Sequence, residues 1–254
     1  MAHGISHEHS HGTDDDDDTV QAGRHHHHER DDGPPITFNQ FDIANYLHAD
    51  NKADGSATEQ FIFQVTGVEQ NGAHVTLPGL GSDFGMYFIV DAVLDPSNGA
   101  PPHFSKLDIS LMVDPGNNNG AVSATTDGVG FANGTRGDFA LATGSLVSAA
   151  LRINADPVPN TRHANFVEQI TTTKAGREVF GDSLSTGDQF RELLTTLGSN
   201  PPFNLIPLPG GDFTVLVNGG TGTVQLTSQN SLSVSLDDLT HDHGRDWSSV
   251  GDFR

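Results

Sequence analysis

Eight of the 14 histidines stand in the first 33 residues, as His3, His7, His9, His11 and the run His25, His26, His27 and His28. Neutral imidazole is a borderline ligand that suits zinc, nickel or copper, and a pliant arm can wrap several rings around one ion. Glu8 and the aspartates Asp14 to Asp18 lie among them and would raise the local cation concentration. These eight side chains are therefore the expected transition-metal ligands. A second oxygen-rich stretch runs Asp114-Pro115-Gly116-Asn117-Asn118-Asn119-Gly120. Asp114, Asn117 and Asn119 offer the hard donors that calcium accepts. The closing Glu of a helix-loop-helix calcium site is missing, and the same residue types suit a plain tight turn.

A hydroxyl comes next. Val179 to Ser185 reads VFGDSLS, and Asp238-Leu239-Thr240-His241 follows downstream. The two words resemble the first and last blocks of the GDSL (SGNH) esterases and lipases. That resemblance implies Ser183 as nucleophile, His241 as its base and Asp238 as the group that orients the imidazole. The blocks that build the family's oxyanion hole have no match, and Ser183 falls late in the chain. Gly128 to Gly134 (GVGFANG) has the look of a phosphate loop but lacks a Lys and a helix, so it reads as a loop. His48, His74, His103 and His163 are scattered and read as surface or turn residues.

Composition narrows the partners. The chain has 12 Lys and Arg against 33 Asp and Glu, a net charge of -21. So few cations exclude a nucleic-acid partner and an anionic membrane surface, because each phosphate contact needs a Lys or Arg. There is no cysteine, hence no disulfide and no thiolate site. No apolar run reaches the roughly 18 residues of a membrane helix, so no membrane insertion is expected. The opening MAHGISHEHSHG has no apolar leader core, so any export leader is expected to be already removed or not needed.

The elements that must carry these groups are short strands. Residues 1–33 are too polar to bury a core and read as a disordered His/Asp-rich arm. Residues 237–254, with Asp237, Asp238, Asp242, Asp246 and Asp252 around His241 and His243, read as a polar tail. Residues 34–236 form the body, where 29 glycines and 13 prolines in the chain favour turns. Gln60 to Val68 alternates Phe61, Phe63 and Val65, and Asn71-Gly72 supplies a hairpin turn before His74 to Leu77. Further strands are expected at Phe84 to Leu94, Phe104 to Val113, Asp138 to Thr143, Ser145 to Asn154, Phe166 to Thr173, Phe213 to Asn218 and Gly222 to Leu226. One stretch has another period. After Ser185 and Asp188, which suggest a capping box, Phe190, Leu193, Leu194 and Leu197 fall at helical spacing, so one short amphipathic helix is expected near 186–197. The fold class expected is all-β, an antiparallel sandwich of jelly-roll type with that single helix.

Several segments, in order, resemble the exported PEP-CTERM group proteins of the flocculation-associated type. They are Glu59 to Gly72 (EQFIFQVTGVEQNG), Gly85 to Pro96 (GMYFIVDAVLDP), the Val-Asp-Pro of Leu111 to Asn117, Gly137 to Val147 (GDFALATGSLV) and Asn200 to Leu226. The resemblance implies an extracellular or cell-surface place and a part in cell aggregation and biofilm matrix, with no catalytic residues. The Pro-Glu-Pro signal of that group has no counterpart at the end of the sequence, so a sorted, membrane-anchored form is not expected. Asp outnumbers Glu by 26 to 7, which suits a strongly hydrated exterior. The expectation is an acidic, secreted protein that works by self-association or by binding other matrix components, with its arm holding metal. A filament subunit that joins copies by strand addition through Ile36 to Tyr46 is the alternative.

Overall fold

The computed structural model describes residues 34–96, 103–153, 162–196, 204–227, 231–236 and 239, with the backbone alone for 149–153, 162–165 and 193–196. The strands are β1 (Ile36–Phe38), β2 (Gln40–Asn51), β3 (Ala57–Gln70), β4 (Ala73–Val75), β5 (Phe84–Asp95), β6 (His103–Pro115), β7 (Val122–Thr125), β8 (Gly128–Phe131), β9 (Phe139–Ile153) and β10 (Arg162–Thr172). Helix α1 (Lys174–Phe180) follows, then β11 (Gln189–Thr196), β12 (Asn204–Pro207), β13 (Phe213–Leu226) and β14 (Leu232–Val234).

Each long strand is antiparallel to both neighbours, in the order β2, β3, β5, β6, β9, β10, β11, β13 and back to β2. The ring is an eight-stranded barrel. This corrects the expected sandwich: there is a single sheet rolled on itself around one interior, so none of the ring strands keeps a free edge where the ring closes. Strand β13 makes closure possible because it is long. Its Leu226–Thr221 part pairs β11, and its Phe213–Leu216 part pairs β12. A register shift at Asn218/Gly220, with Gly219 at φ 87°, turns the strand between those two duties.

The expected helix near 186–197 is not there. Asp188 does accept from the Ser185 N–H at 2.8 Å, as the capping-box reading supposed, but Gly187 takes φ 104° and the chain turns into β11. The helical spacing of leucines loses to hydrogen-bonded strands on both sides, because pairing and burial outweigh a weak local propensity. The helix forms instead at α1. Thr173 caps it by accepting from Gly176 N at 3.0 Å while donating to Ala140 O at 2.6 Å. The strands expected as separate at 138–143 and 145–154 are one strand, β9, that runs through Gly144. Val122–Phe131 is the β7–β8 hairpin, which takes in the first four residues of the Gly128 to Gly134 segment read as a loop. The hairpin turn at Asn71-Gly72 is present, with φ 52° and 80°.

Inside the ring, Phe41, Phe88 and Phe190 meet edge to face with ring centres 5.3, 6.2 and 5.8 Å apart. Phe38 of β1 abuts Phe41 at 5.1 Å, and α1 with the β1–β14 pair buries Val179, Phe180, Leu232 and Val234 in the same core. One end of the barrel is thus stoppered by apolar side chains. The β7–β8 hairpin lies on the outside, over Ile62 and Tyr87, with Phe131 4.6 Å from the Tyr87 ring. This second, smaller core explains why Phe61-Ile62-Phe63 and Tyr87-Phe88 are unbroken apolar runs: both faces of the sheet are covered there.

Candidate functional site

Strand alternation sends Phe166, Glu168 and Ile170 of β10 inward, together with Phe190 and Glu192 of β11. Beyond β13, Ile43, Asn45 and Leu47 of β2 point inward as well. Glu168, Glu192 and Asn45 are each 0% exposed. Neither carboxyl oxygen of either glutamate, nor either amide atom of Asn45, has a hydrogen-bond partner from another residue. Buried polar groups are nearly always paired, and among the described residues six of the ten such unpaired side-chain atoms lie in this apolar interior, with three others on Asp114, Asn119 and Asp138. In register, Glu168 is opposite Phe190 and Glu192 is opposite Phe166, which makes the two acids diagonal neighbours on adjacent strands.

Glycines make the room. A Cβ at Gly144 would stand 2.7 Å from Ile109 Cγ2 and 3.4 Å from Glu168 Cβ, and one at Gly220 would stand 2.7 Å from Asn45 Nδ2. Burial pushes the Glu168 carboxyl up to about 8, and burial with the neighbouring Glu168 pushes Glu192 well above the carboxylate range. At neutral pH the pair therefore holds protons, each a hydrogen-bond donor or a place for an incoming charge.

A second polar knot lies outside the ring, beneath the β6–β7 turn. Asn119 N donates to Asp114 Oδ2 at 2.9 Å, Asn119 Nδ2 donates to Asp138 Oδ2 at 2.6 Å, and Tyr87 Oη donates to the same Asp138 oxygen. Burial raises Asp138, with Asp114 adding to the effect, and it also raises Tyr87. Of the three residues expected to face calcium, the structure brings together Asp114 and Asn119. Asn117 turns away, at φ 49°, and its Nδ2 donates to Gly81 O at 2.7 Å. The arrangement is a closed turn lock between β5, β6 and the start of β9.

His48 also faces outward. Its Nδ1 donates to Thr125 O at 2.7 Å and its Nε2 stands 3.2 Å from Asp50 Oδ2, while Thr214 donates to Asp50 at 2.8 Å. This ties the β7–β8 hairpin to β2 and β13. A cleft of about 350 Å³ beside it is lined by Asp50, Asp91, Asp127 and Lys106, but Lys106 is already held by Asp108 at 2.7 Å. Ser183 donates to Phe180 O at 2.5 Å and accepts from Ser233 N at 2.8 Å, so its hydroxyl fastens α1 to β14. His241 and Asp238 lie outside the described residues, as do His3, His7, His9, His11, His25, His26, His27 and His28. Among the described residues no group of three or more His, Asp or Glu side chains is arranged to hold a metal ion.

The sequence reading passes over Glu168 and Glu192 because it treats 186–197 as a helix, on which Glu192 would be a solvated residue. Read as strands, Phe166-Val167-Glu168-Gln169-Ile170 and Phe190-Arg191-Glu192 each place a carboxylate at an apolar alternation step, and that signal was available. Fold and site together define a closed antiparallel barrel with an unpartnered acid pair and an amide in its interior. Compared with known family models, curated proteins and solved structures, the chain matches none.

Proposed function

We propose that this chain is an acidic, exported barrel protein that holds a small molecule within the barrel. The observation that carries the reading is the set Asn45, Glu168 and Glu192, whose buried polar atoms find no partner in the protein. An eight-stranded barrel is wide enough either to be filled by side chains or to hold one small ligand. Polar atoms inside it that the chain leaves unpaired are what a ligand's own polar groups would meet. The aromatic trio forms a floor on the stoppered side. Toward the other end the wall is built with small side chains, Ala49, Ala57 and Ala92, all buried.

The test is a titration of the full chain with Nile red, a neutral apolar dye. Saturable binding of one dye per chain with a blue-shifted emission is expected, and weaker binding to Ala92→Leu, whose larger side chain narrows the interior. Absence of saturable binding by the wild-type protein, or equal binding by the variant, would overturn the reading.

The extracellular setting is supported by the PEP-CTERM-type segments and by the excess of aspartate. A second reading, metal-bridged self-association, is favoured by the eight histidines in residues 1–33. It predicts that light scattering of the purified protein rises with added zinc or nickel and falls again with a chelator. A strictly monomeric protein under both conditions removes it. Strand addition through Ile36 to Tyr46 finds no such support, since β1 is paired with β14 and β2 has a neighbour on each edge.

A further inference from the structure

Resting on the ligand-binding reading above, we infer that the molecule held in the barrel is an amine carried on an apolar body, with its ammonium group seated between Glu168 and Glu192. Three observations converge. The acids are diagonal neighbours across β10 and β11, so two flexible side chains reach one point, and an ammonium brings three donors to four waiting oxygens. Among the described side chains no cation serves them. Lys52, Lys106 and Lys174 have side chains 55%, 59% and 64% exposed, and Arg136, Arg177 and Arg191 are also exposed. Finally, the acids' cross-strand partners are Phe190 and Phe166, and Phe190 meets Phe41 and Phe88 edge to face. Carboxylates set among aromatic rings make a site for a cation with an apolar body, since the carboxylates attract the charge and the rings pack against the body.

Other ligand classes fit less well. A carboxylate would be desolvated in an apolar interior with no cation beside it among the described residues, and an alcohol brings one donor to two acids. Inward positions of β2, β5, β6, β9 and β13 carry Phe41, Ile43, Asn45, Phe88, Ile109, Gly144 and Val224, none of them titratable, while the inward face of β3 carries Glu59, in register with Ala49 and Ala92 toward the other end of the barrel. Seating an ammonium therefore requires the pair to give up protons to solvent. Affinity rises with pH from about 6 to 8, where the acids still hold protons that binding must displace and the amine is still charged.

The experiment is calorimetric titration of the full chain with n-octylamine and with 1-octanol, in buffers of different ionisation heat, repeated on Glu168→Gln and Glu192→Gln. Octylamine is expected to bind one per chain, at least about tenfold more tightly than octanol, with proton release and with affinity rising over that pH interval. Each glutamine variant is expected to lose at least about tenfold in octylamine affinity, while near-ultraviolet dichroism shows it folded. Octanol binding as tightly as octylamine overturns the inference and leaves the ligand-binding reading standing. Octylamine binding that both glutamine variants retain places the amine on the acidic exterior and also overturns it. Failure of both octylamine and octanol overturns it too; Nile red then decides whether the broader reading falls with it.

Discussion

The double variant Glu168→Gln, Glu192→Gln is expected to be several kcal/mol more stable than the wild-type protein at pH 8 and nearly equal to it at pH 4. Both acids have folded-state proton affinities raised by burial, Glu168 to about 8 from an ordinary 4.5. A raised group favours the folded state most at low pH, where folded and unfolded chains are both protonated. That contribution is lost as pH climbs from about 4.5 to 8, because the unfolded chain ionises early and the folded one late. Glu168 alone accounts for up to about 5 kcal/mol over the interval, at 1.36 kcal/mol for each unit of difference. Glutamine keeps the shape and cannot ionise, so the variant's stability is flat across the same range. Asp50, Asp54 and Asp212 work in the other direction: they sit below the ordinary carboxylate value and lose their contribution only as pH falls through the acid range. The two effects occupy separate pH windows. Urea unfolding at pH 4, 6 and 8 reads them apart, and parallel pH profiles for wild type and variant would sink the assignment. A pair that costs the fold stability at neutral pH while meeting no partner in the chain is what a binding group looks like, and the same substitutions should abolish octylamine capture.

The second large effect is expected at Gly176→Ala. In an exposed helix this change adds about 1 kcal/mol of stability, because alanine is the better helix former. Here the sign reverses. A Cβ at position 176 would stand 1.9 Å from Leu141 O, 2.9 Å from Leu141 C and 3.0 Å from Thr172 Cγ2. Leu141 cannot retreat easily, since its carbonyl accepts from Thr173 N at 3.0 Å and from Thr173 Oγ1 at 3.0 Å, and its side chain is wholly buried. Helix α1 would have to lift from the start of β9 and uncover Val179 and Phe180. A loss of about 3 kcal/mol or more follows, a drop in Tm of roughly 6–12 °C for a domain of this size. Glu178→Ala, on the exposed side of the same helix, is the control and should change little. A Tm for Gly176→Ala equal to or above that of the wild type would refute the close approach of α1 to β9.

Much of the architecture was written in local pattern. Phe61, Phe63 and Val65 recur at every second position because one face of β3 lines the barrel interior, and Asn71-Gly72 turns because both residues accept positive φ. Strand content and the absence of disulfides follow from composition and period alone. Three things were not legible there. Phe190, Leu193, Leu194 and Leu197 have helical spacing, yet they fall in or just after β11, which two neighbours hold extended. Gly144 and Gly219 look like strand breaks, yet the chain passes through them, because a glycine in a curved sheet admits a close neighbour or a bulge. Asp114, Asn117 and Asn119 read as either a plain turn or calcium donors, and what spacing could not show is that Asp114 and Asn119 join Asp138 and Tyr87 in a turn lock built from residues distant in the chain.

What the sequence by itself determined is the antiparallel β character, the acidity and the polar first 33 residues, since each is a property of residue type and near-neighbour spacing. What only the tertiary structure decided is that the sheet closes, and therefore that Glu168, Glu192 and Asn45 share an interior. Alternation says which side chains lie on one face; it does not say whether that face curls inward or meets a second sheet. The pairing of β11 with β13 joins residues far apart in the chain, and it is that long-range contact which encloses three separate polar side chains in one interior.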